Sequence, residues 1–149
     1  MRAMLDKFTK RSHKVMQLAQ HEAKRCSHHY ISVEHILLGL VLEEHGMAAI
    51  VLKKLGVSDE QIRKEVEQLV PSGEAPVDGQ QFPLTRAAAR TIEDAKVRAE
   101  EFRHDYVCTE HLLLGLITQE SGRTAEIFQR CGITPQRVRE EIQSLVKSV

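Results

Sequence analysis

Apolar residues early in the chain return every three or four positions: Val15, Met16, Leu18, Ala19, Ala23 and Cys26. That spacing lines one face of a helix, and Thr9 in front of it is a ready N-cap. After a polar break the pattern changes. Ile36, Leu37, Leu38, Leu40 and Val41 leave almost no polar face, which predicts a helix starting near Ser32 and buried nearly all round. A short helix over 47–55 follows, and Gly56 suits its left-handed cap. A fourth helix begins at Ser58, with Gln61 at the capping-box position, and turns Val57, Ile62, Val66 and Leu69 inward. No alternating run and no hairpin signal intervenes, so no sheet is expected.

The pattern then occurs a second time. Ser32-Val33-Glu34-His35-Ile36-Leu37-Leu38-Gly39-Leu40 returns as Cys108-Thr109-Glu110-His111-Leu112-Leu113-Leu114-Gly115-Leu116, a displacement of 76 residues. The same displacement aligns Thr9 with Thr85, Ala19 with Ala95, Ala23 with Ala99, His28 with His104 and Tyr30 with Tyr106. It also aligns Gly46 with Gly122, Gly56 with Gly132 and Leu69-Val70 with Leu145-Val146, without a gap. The counterpart of Ser58 is Thr134, followed by Pro135 at the first helical position, where proline's missing N–H costs nothing. The chain is therefore read as all-α: repeat 1 over 8–70, a linker over 71–83 holding three prolines and two glycines, and repeat 2 over 84–146. A four-helix unit of about 65 residues is close to the lower limit of independent stability. The two tandem four-helix repeats are expected to pack as one pseudo-twofold lobe, with equivalent surfaces in pairs.

Composition narrows the picture. Of the 149 residues, 42% are hydrophobic but only 4% aromatic, and Trp is absent, so aliphatic side chains must fill the core. Lys+Arg and Asp+Glu both number 21, without the basic excess of a nucleic-acid binder. No segment has the roughly 18 to 20 continuous apolar residues of a membrane span, and residues 1–8 lack the apolar stretch of a signal peptide. Neither nucleic acid nor membrane is expected as a partner. Cys26, Cys108 and Cys131 are odd in number and lack framework spacing, which suits a reducing, cytoplasmic compartment. Cys26, His28, His29 and His35 lie close in sequence, but no Cys-x-x-Cys or His-x-x-x-His pair exists; no metal and no cofactor is expected.

The duplicated Glu-His-Ile/Leu-Leu-Leu-Gly-Leu run, the Phe8-Thr9 start, the Gly46 and Gly122 turns and the Leu55-Gly56-Val57 turn resemble the duplicated N-terminal domain of Clp-family AAA+ unfoldases, most similar to the ClpC class. The resemblance covers nearly the whole chain. It implies a non-catalytic docking domain for adaptor proteins and for unfolded substrates, working with a Clp ATPase ring and a peptidase through the parent protein. In ClpC-like proteins it further implies a receptor for arginine-phosphorylated substrates, in which the glutamate of each run holds the guanidinium; here those residues are Glu34 and Glu110. A carboxylate can take two parallel hydrogen bonds from a guanidinium, and the free N–H groups of a first helical turn suit a phosphoryl group. The family's usual Gly-Thr-Glu-His reads Ser32-Val33-Glu34-His35 in one copy and Cys108-Thr109-Glu110-His111 in the other, so Ser32, Val33, Cys108 and Thr109 complete the candidate ligand-binding set. The alternative is a stand-alone regulator that contacts the Clp machine without an attached ATPase.

Other chemistry is weaker. No Gly-x-x-x-x-Gly-Lys-Ser/Thr stretch is present, so the chain has no P-loop to cradle nucleotide phosphates. Cys108 with His111 is a conceivable nucleophile and base, but a lone thiol near an imidazole is no catalytic signature. The histidine after each glutamate reads more simply as a partly buried helix residue with a satisfied hydrogen bond. Lys53-Lys54 and Glu140-Glu141 read as solvated helix faces, and Phe82 as a linker side chain packed onto the lobe.

Overall fold

The computed structural model describes residues 5–73, 82–119 and 122–147. Its helices are α1 (Lys10–Arg25), α2 (Val33–Leu42), α3 (Met47–Lys54) and α4 (Asp59–Leu69), then α5 (Arg86–Glu101), α6 (Thr109–Ile117), α7 (Arg123–Arg130) and α8 (Pro135–Lys147). Every start in the second set lies 76 residues after its counterpart in the first. The predicted caps form: Thr9 and Thr85 accept from the N–H groups of Ser12 and Ala88, both at 3.1 Å. Ser58 accepts from Gln61 at 3.1 Å, and Thr134 from Arg137 at 3.2 Å. Each oxygen satisfies a donor that the helix itself leaves unpaired.

The two most apolar helices, α2 and α6, are buried along almost their whole length and pack against each other. Their side chains join one apolar cluster fed by both repeats, so the halves share a core. Phe82 is buried in that cluster, whereas residues 74–81 of the expected linker lie outside the described residues. The charged runs are mostly solvated, but Lys54 Nζ lies 3.2 Å from Glu141 and links α3 to α8.

Each repeat brings its first two helices together backbone to backbone. A methyl on Gly39 would collide with the Val15 carbonyl, and one on Gly115 would stand 2.5 Å from the Thr91 carbonyl oxygen. Only glycine permits this approach. Among the described residues there is no strand, only two isolated parallel bridges, Phe8 with Val107 and Ile31 with Leu84. The two are equivalent under the 76-residue shift. Thr9 N–H donates to the Val107 carbonyl at 3.1 Å and Val107 N–H to Lys7 at 2.7 Å; Thr85 N–H donates to Ile31 at 3.0 Å and Ile31 N–H to Pro83 at 2.9 Å. The bridges set the start of α1 beside the start of α6, and the start of α5 beside the start of α2.

Helices α2 and α6 begin at a buried and a half-buried N-cap, Ser32 and Cys108, whose N–H groups find partners within the protein. The imidazoles are those partners. His35 Nδ1 accepts the Ser32 N–H at 2.9 Å, and His111 Nδ1 accepts the Cys108 N–H at 2.8 Å. An accepting Nδ1 leaves the proton on Nε2. His35 Nε2–H therefore donates to His28 Nδ1 at 2.9 Å, and His28 Nε2–H in turn to the Pro71 carbonyl at 2.9 Å. The second copy repeats the first two links, with His111 Nε2 3.0 Å from His104 Nδ1. Ser27 and Arg103, both at φ 58°, reverse the chain after α1 and α5 and return His28 and His104 beneath their partners. Burial, then the neighbouring histidine, holds His35 and His111 at about 4 instead of 6.5.

Two predictions follow from this packing. Gly115→Ala raises helix propensity, yet it forces α5 and α6 apart. It should destabilise the protein by about 1–3 kcal/mol in denaturant unfolding, opposite in sign to an ordinary Gly→Ala change within a helix. The second concerns pH. The folded state binds fewer protons than the unfolded one between about 4 and 6.5, so the stabilisation is complete above 6.5 and is lost as pH falls. Each histidine should contribute a slope of up to ~1.4 kcal/mol per pH unit. Melting curves from pH 7.5 to 5 should show that decline. The double variant His35→Gln plus His111→Gln, whose amides can still cap the helices, should show it much reduced.

Candidate functional site

The bridged helix starts open into two clefts related by the pseudo-twofold. The first, of about 510 Å³, gathers the start of α2 (Ser32, Val33, Glu34), the start of α5 (Thr85, Ala87) and the start of α7 (Gly122, Arg123, Thr124). The second, of about 320 Å³, gathers the start of α6 (Cys108, Thr109, Glu110), of α1 (Thr9, Lys10, Arg11) and of α3 (Gly46, Met47). In each, one helix comes from one repeat and two from the other. Three N-termini direct partial positive charge into one space, and each holds a single carboxylate from the first turn of its central helix.

Those carboxylates do not project into solvent. Glu34 is 4% exposed and Glu110 7%. The reason is tertiary: α2 and α6 start beneath the helices of the opposite repeat, so their first turns become cleft floors. Burial pushes the Glu110 carboxyl up; a backbone hydrogen bond, the nearby His104 and a hydrogen bond with Cys108 act the other way. The Cys108 thiol is pushed up to about 11, mainly by burial and then by the Glu110 charge, so it stays protonated and is a poor nucleophile. His111 is equally unsuited as its base, because Nδ1 is committed to the Cys108 N–H.

The six residues expected from sequence therefore form two triplets, one in each cleft, and the triplets do not meet. Their neighbourhoods differ. Thr109 Oγ1 accepts the Ala48 N–H of α3 at 3.2 Å, and a methyl on Gly46 would lie 2.8 Å from that oxygen. Val33 has no oxygen to offer α7. Instead Arg123 Nε lies 3.7 Å from Glu34 Oε1. Position 47, the counterpart of Arg123, is Met, and the Glu110 cleft has Lys10 and Arg11 along its wall. Arg123, Lys10 and Arg11 were missed from sequence, and Gly46 and Gly122 were noted there only as turns. The repeat register already paired Thr9 with Thr85 and Gly46 with Gly122, but gave no sign that each group crosses to the other copy's glutamate.

His104, Glu110 and His111 bring their ligand atoms within 4.8 Å of one another. A metal on His111 Nε2 would move the ring proton to Nδ1 and so remove the acceptor of the Cys108 N–H. The cluster is accounted for by capping.

The comparisons agree with this architecture. The model of the Clp repeat (R) N-terminal domain matches residues 7–107 and 83–149. ClpC/MecB of Bacillus subtilis, a negative regulator of genetic competence, is 41% identical over 145 residues; that covers 97% of this chain but only 18% of the relative. The N-terminal domain of the ClpD chaperone from Arabidopsis thaliana superimposes with a TM-score of 0.79 over 96% of both chains at 21% identity. A ClpV N-domain in complex with a VipB peptide superimposes with a TM-score of 0.72 over 94% of this chain and 87% of that one, at 16% identity. With its duplicated four-helix architecture and both halves matched, this chain belongs to the Clp N-terminal repeat domain family.

Proposed function

We propose that this chain is a docking domain for the adaptors and substrates of an ATP-dependent Clp unfoldase–protease system, and that its paired clefts receive phosphorylated arginine side chains. The observation that carries the reading is a buried carboxylate at the meeting point of three helix N-termini, present twice. The ligand's two groups have opposite needs. Its guanidinium suits a carboxylate, and its phosphoryl group suits converging N–H groups. Either cleft offers both within one small volume. The peptide-bound ClpV N-domain supports docking as a use of this fold, and the three free thiols suit a reducing, cytoplasmic setting. Neither ATP chemistry nor peptide cleavage is assigned to the chain itself; an ATPase ring and a peptidase would supply them.

The clefts should not be equal. No arginine pairs with Glu110 among the described residues, and Lys10 and Arg11 in the same cleft add positive charge for a phosphoryl group. Glu34 already neighbours Arg123, which competes for the carboxylate. Calorimetry with free phosphoarginine, set against arginine and phosphate separately, should show one tighter and one weaker site. Glu110→Ala should weaken the tighter site roughly ten- to hundredfold, the scale of a lost charged hydrogen-bond pair, and Glu34→Ala should affect only the weaker one. Absence of binding, or affinities untouched by both variants, sinks the proposed receptor. Arg123→Met, which installs the residue of the other copy, should bring the weaker site closer to the stronger.

A further inference from the structure

The pseudo-twofold exposes a second kind of asymmetry, away from the clefts. Where α1 meets α4, Glu22 is buried at 1% exposure and accepts from two arginines. Arg25 Nε and Arg63 Nε each lie 3.3 Å from its carboxylate, and Arg25 also lies 3.7 Å from Glu67. Two guanidiniums meet two carboxylates there. The equivalent corner, where α5 meets α8, has the residues exchanged. Glu22 is replaced by Arg98, Arg25 by Glu101, Arg63 by Arg139 and Glu67 by Gln143. Two guanidiniums remain, with one carboxylate.

The shortfall leaves a physical trace. Glu101 takes Arg98 Nη1 at 3.2 Å, but Arg98 Nε is buried without a hydrogen-bond partner among the described residues. Arg139 has no ion pair among them. Asp94, the other carboxylate nearby, accepts from Thr118 Oγ1 at 3.2 Å and pairs with neither arginine. Arg98, Glu101, Arg139 and Gln143 line a cavity of about 110 Å³ floored by Phe102, Leu114 and Ile142. A buried donor without an acceptor is costly, and two guanidiniums beside one small void are a geometry for bidentate oxyanion recognition.

We infer that the α5–α8 corner binds one small oxyanion of phosphate size, held by Arg98 and Arg139 at the place where repeat 1 supplies its own carboxylate, Glu22. The cavity admits a single tetrahedral anion and no peptide. This site is independent of the clefts and of their proposed ligand.

An NMR titration of the whole chain with inorganic phosphate, against sodium chloride at matched ionic strength, tests it. Phosphate should give saturating shifts at the Arg98 side-chain Nε–H and at the amides of Phe102 and Gln143; chloride should not. Arg139→Gln should weaken that affinity at least tenfold. Arg98→Glu, which installs the repeat 1 residue at this one position and sets a carboxylate against Arg139, should abolish it while leaving phosphate shifts at Cys108 and Thr109 unchanged. Should Arg98→Glu fail to fold, Arg139→Gln alone decides. Phosphate shifts confined to the clefts, or corner affinity retained in the folded variants, would overturn the inference.

Discussion

Two apolar helices begin at the seam between the repeats, at buried or half-buried N-caps, and the N–H groups of those caps are satisfied from within the protein. That constraint shapes much of the rest. An unpaired N–H in such a place costs free energy comparable to a lost hydrogen bond. His35 and His111 resolve it by accepting the N-cap N–H, which fixes their tautomer, and the tautomer fixes the direction of the link to His28 and His104. The link to His28 then anchors the chain at the Pro71 carbonyl, where the first repeat ends. The glutamate before each histidine sits in the same buried first turn. The Glu-His pair thus divides its work, with the imidazole facing inward to the cap and the carboxylate toward the cleft.

Bridging between repeats is what turns a helix tip into a cleft. An isolated α2 would present Glu34 to solvent. The pairing of Ile31 with Leu84 brings α5 alongside, and α7 closes the third side. Each cleft is therefore a product of duplication, since neither repeat alone supplies three N-termini. The same arithmetic links stability to binding. Loosening the contact between the halves would dissolve the shared core and the clefts together.

Much of this architecture was legible in the sequence because it rests on local rules repeated twice. The caps at Thr9, Thr85, Ser58 and Thr134, the enclosed apolar runs and the positive-φ glycines at 56 and 132 are all set by neighbours within a few residues. Glu34 and Glu110 were legible as special, since the run around them recurs. Their burial was not, because it depends on helices about fifty to a hundred residues away in the chain. Arg123 was invisible for the same reason: nothing near it in sequence points to Glu34. The histidine-to-histidine links also escaped notice. A spacing of seven across a turn has no helical meaning until the left-handed Ser27 and Arg103 fold one ring back beneath the other.

Duplication also explains why the differences between the copies are informative. Two halves with one backbone are each other's control, so an exchange at a matched position stands out against a constant surrounding. At the clefts the exchange of Met47 for Arg123 changes which carboxylate is already engaged. At the helix corners the exchange of Glu22 for Arg98 changes whether the charges balance. Drift alone tolerates substitution on an exposed face, where a charge is solvated at little cost. It is less tolerant at a half-enclosed corner, where an arginine nitrogen without an acceptor carries a desolvation penalty. A corner that keeps two guanidiniums and gives up one carboxylate carries that penalty, which an anion drawn from solution would offset as Glu22 does in the first repeat from its own chain.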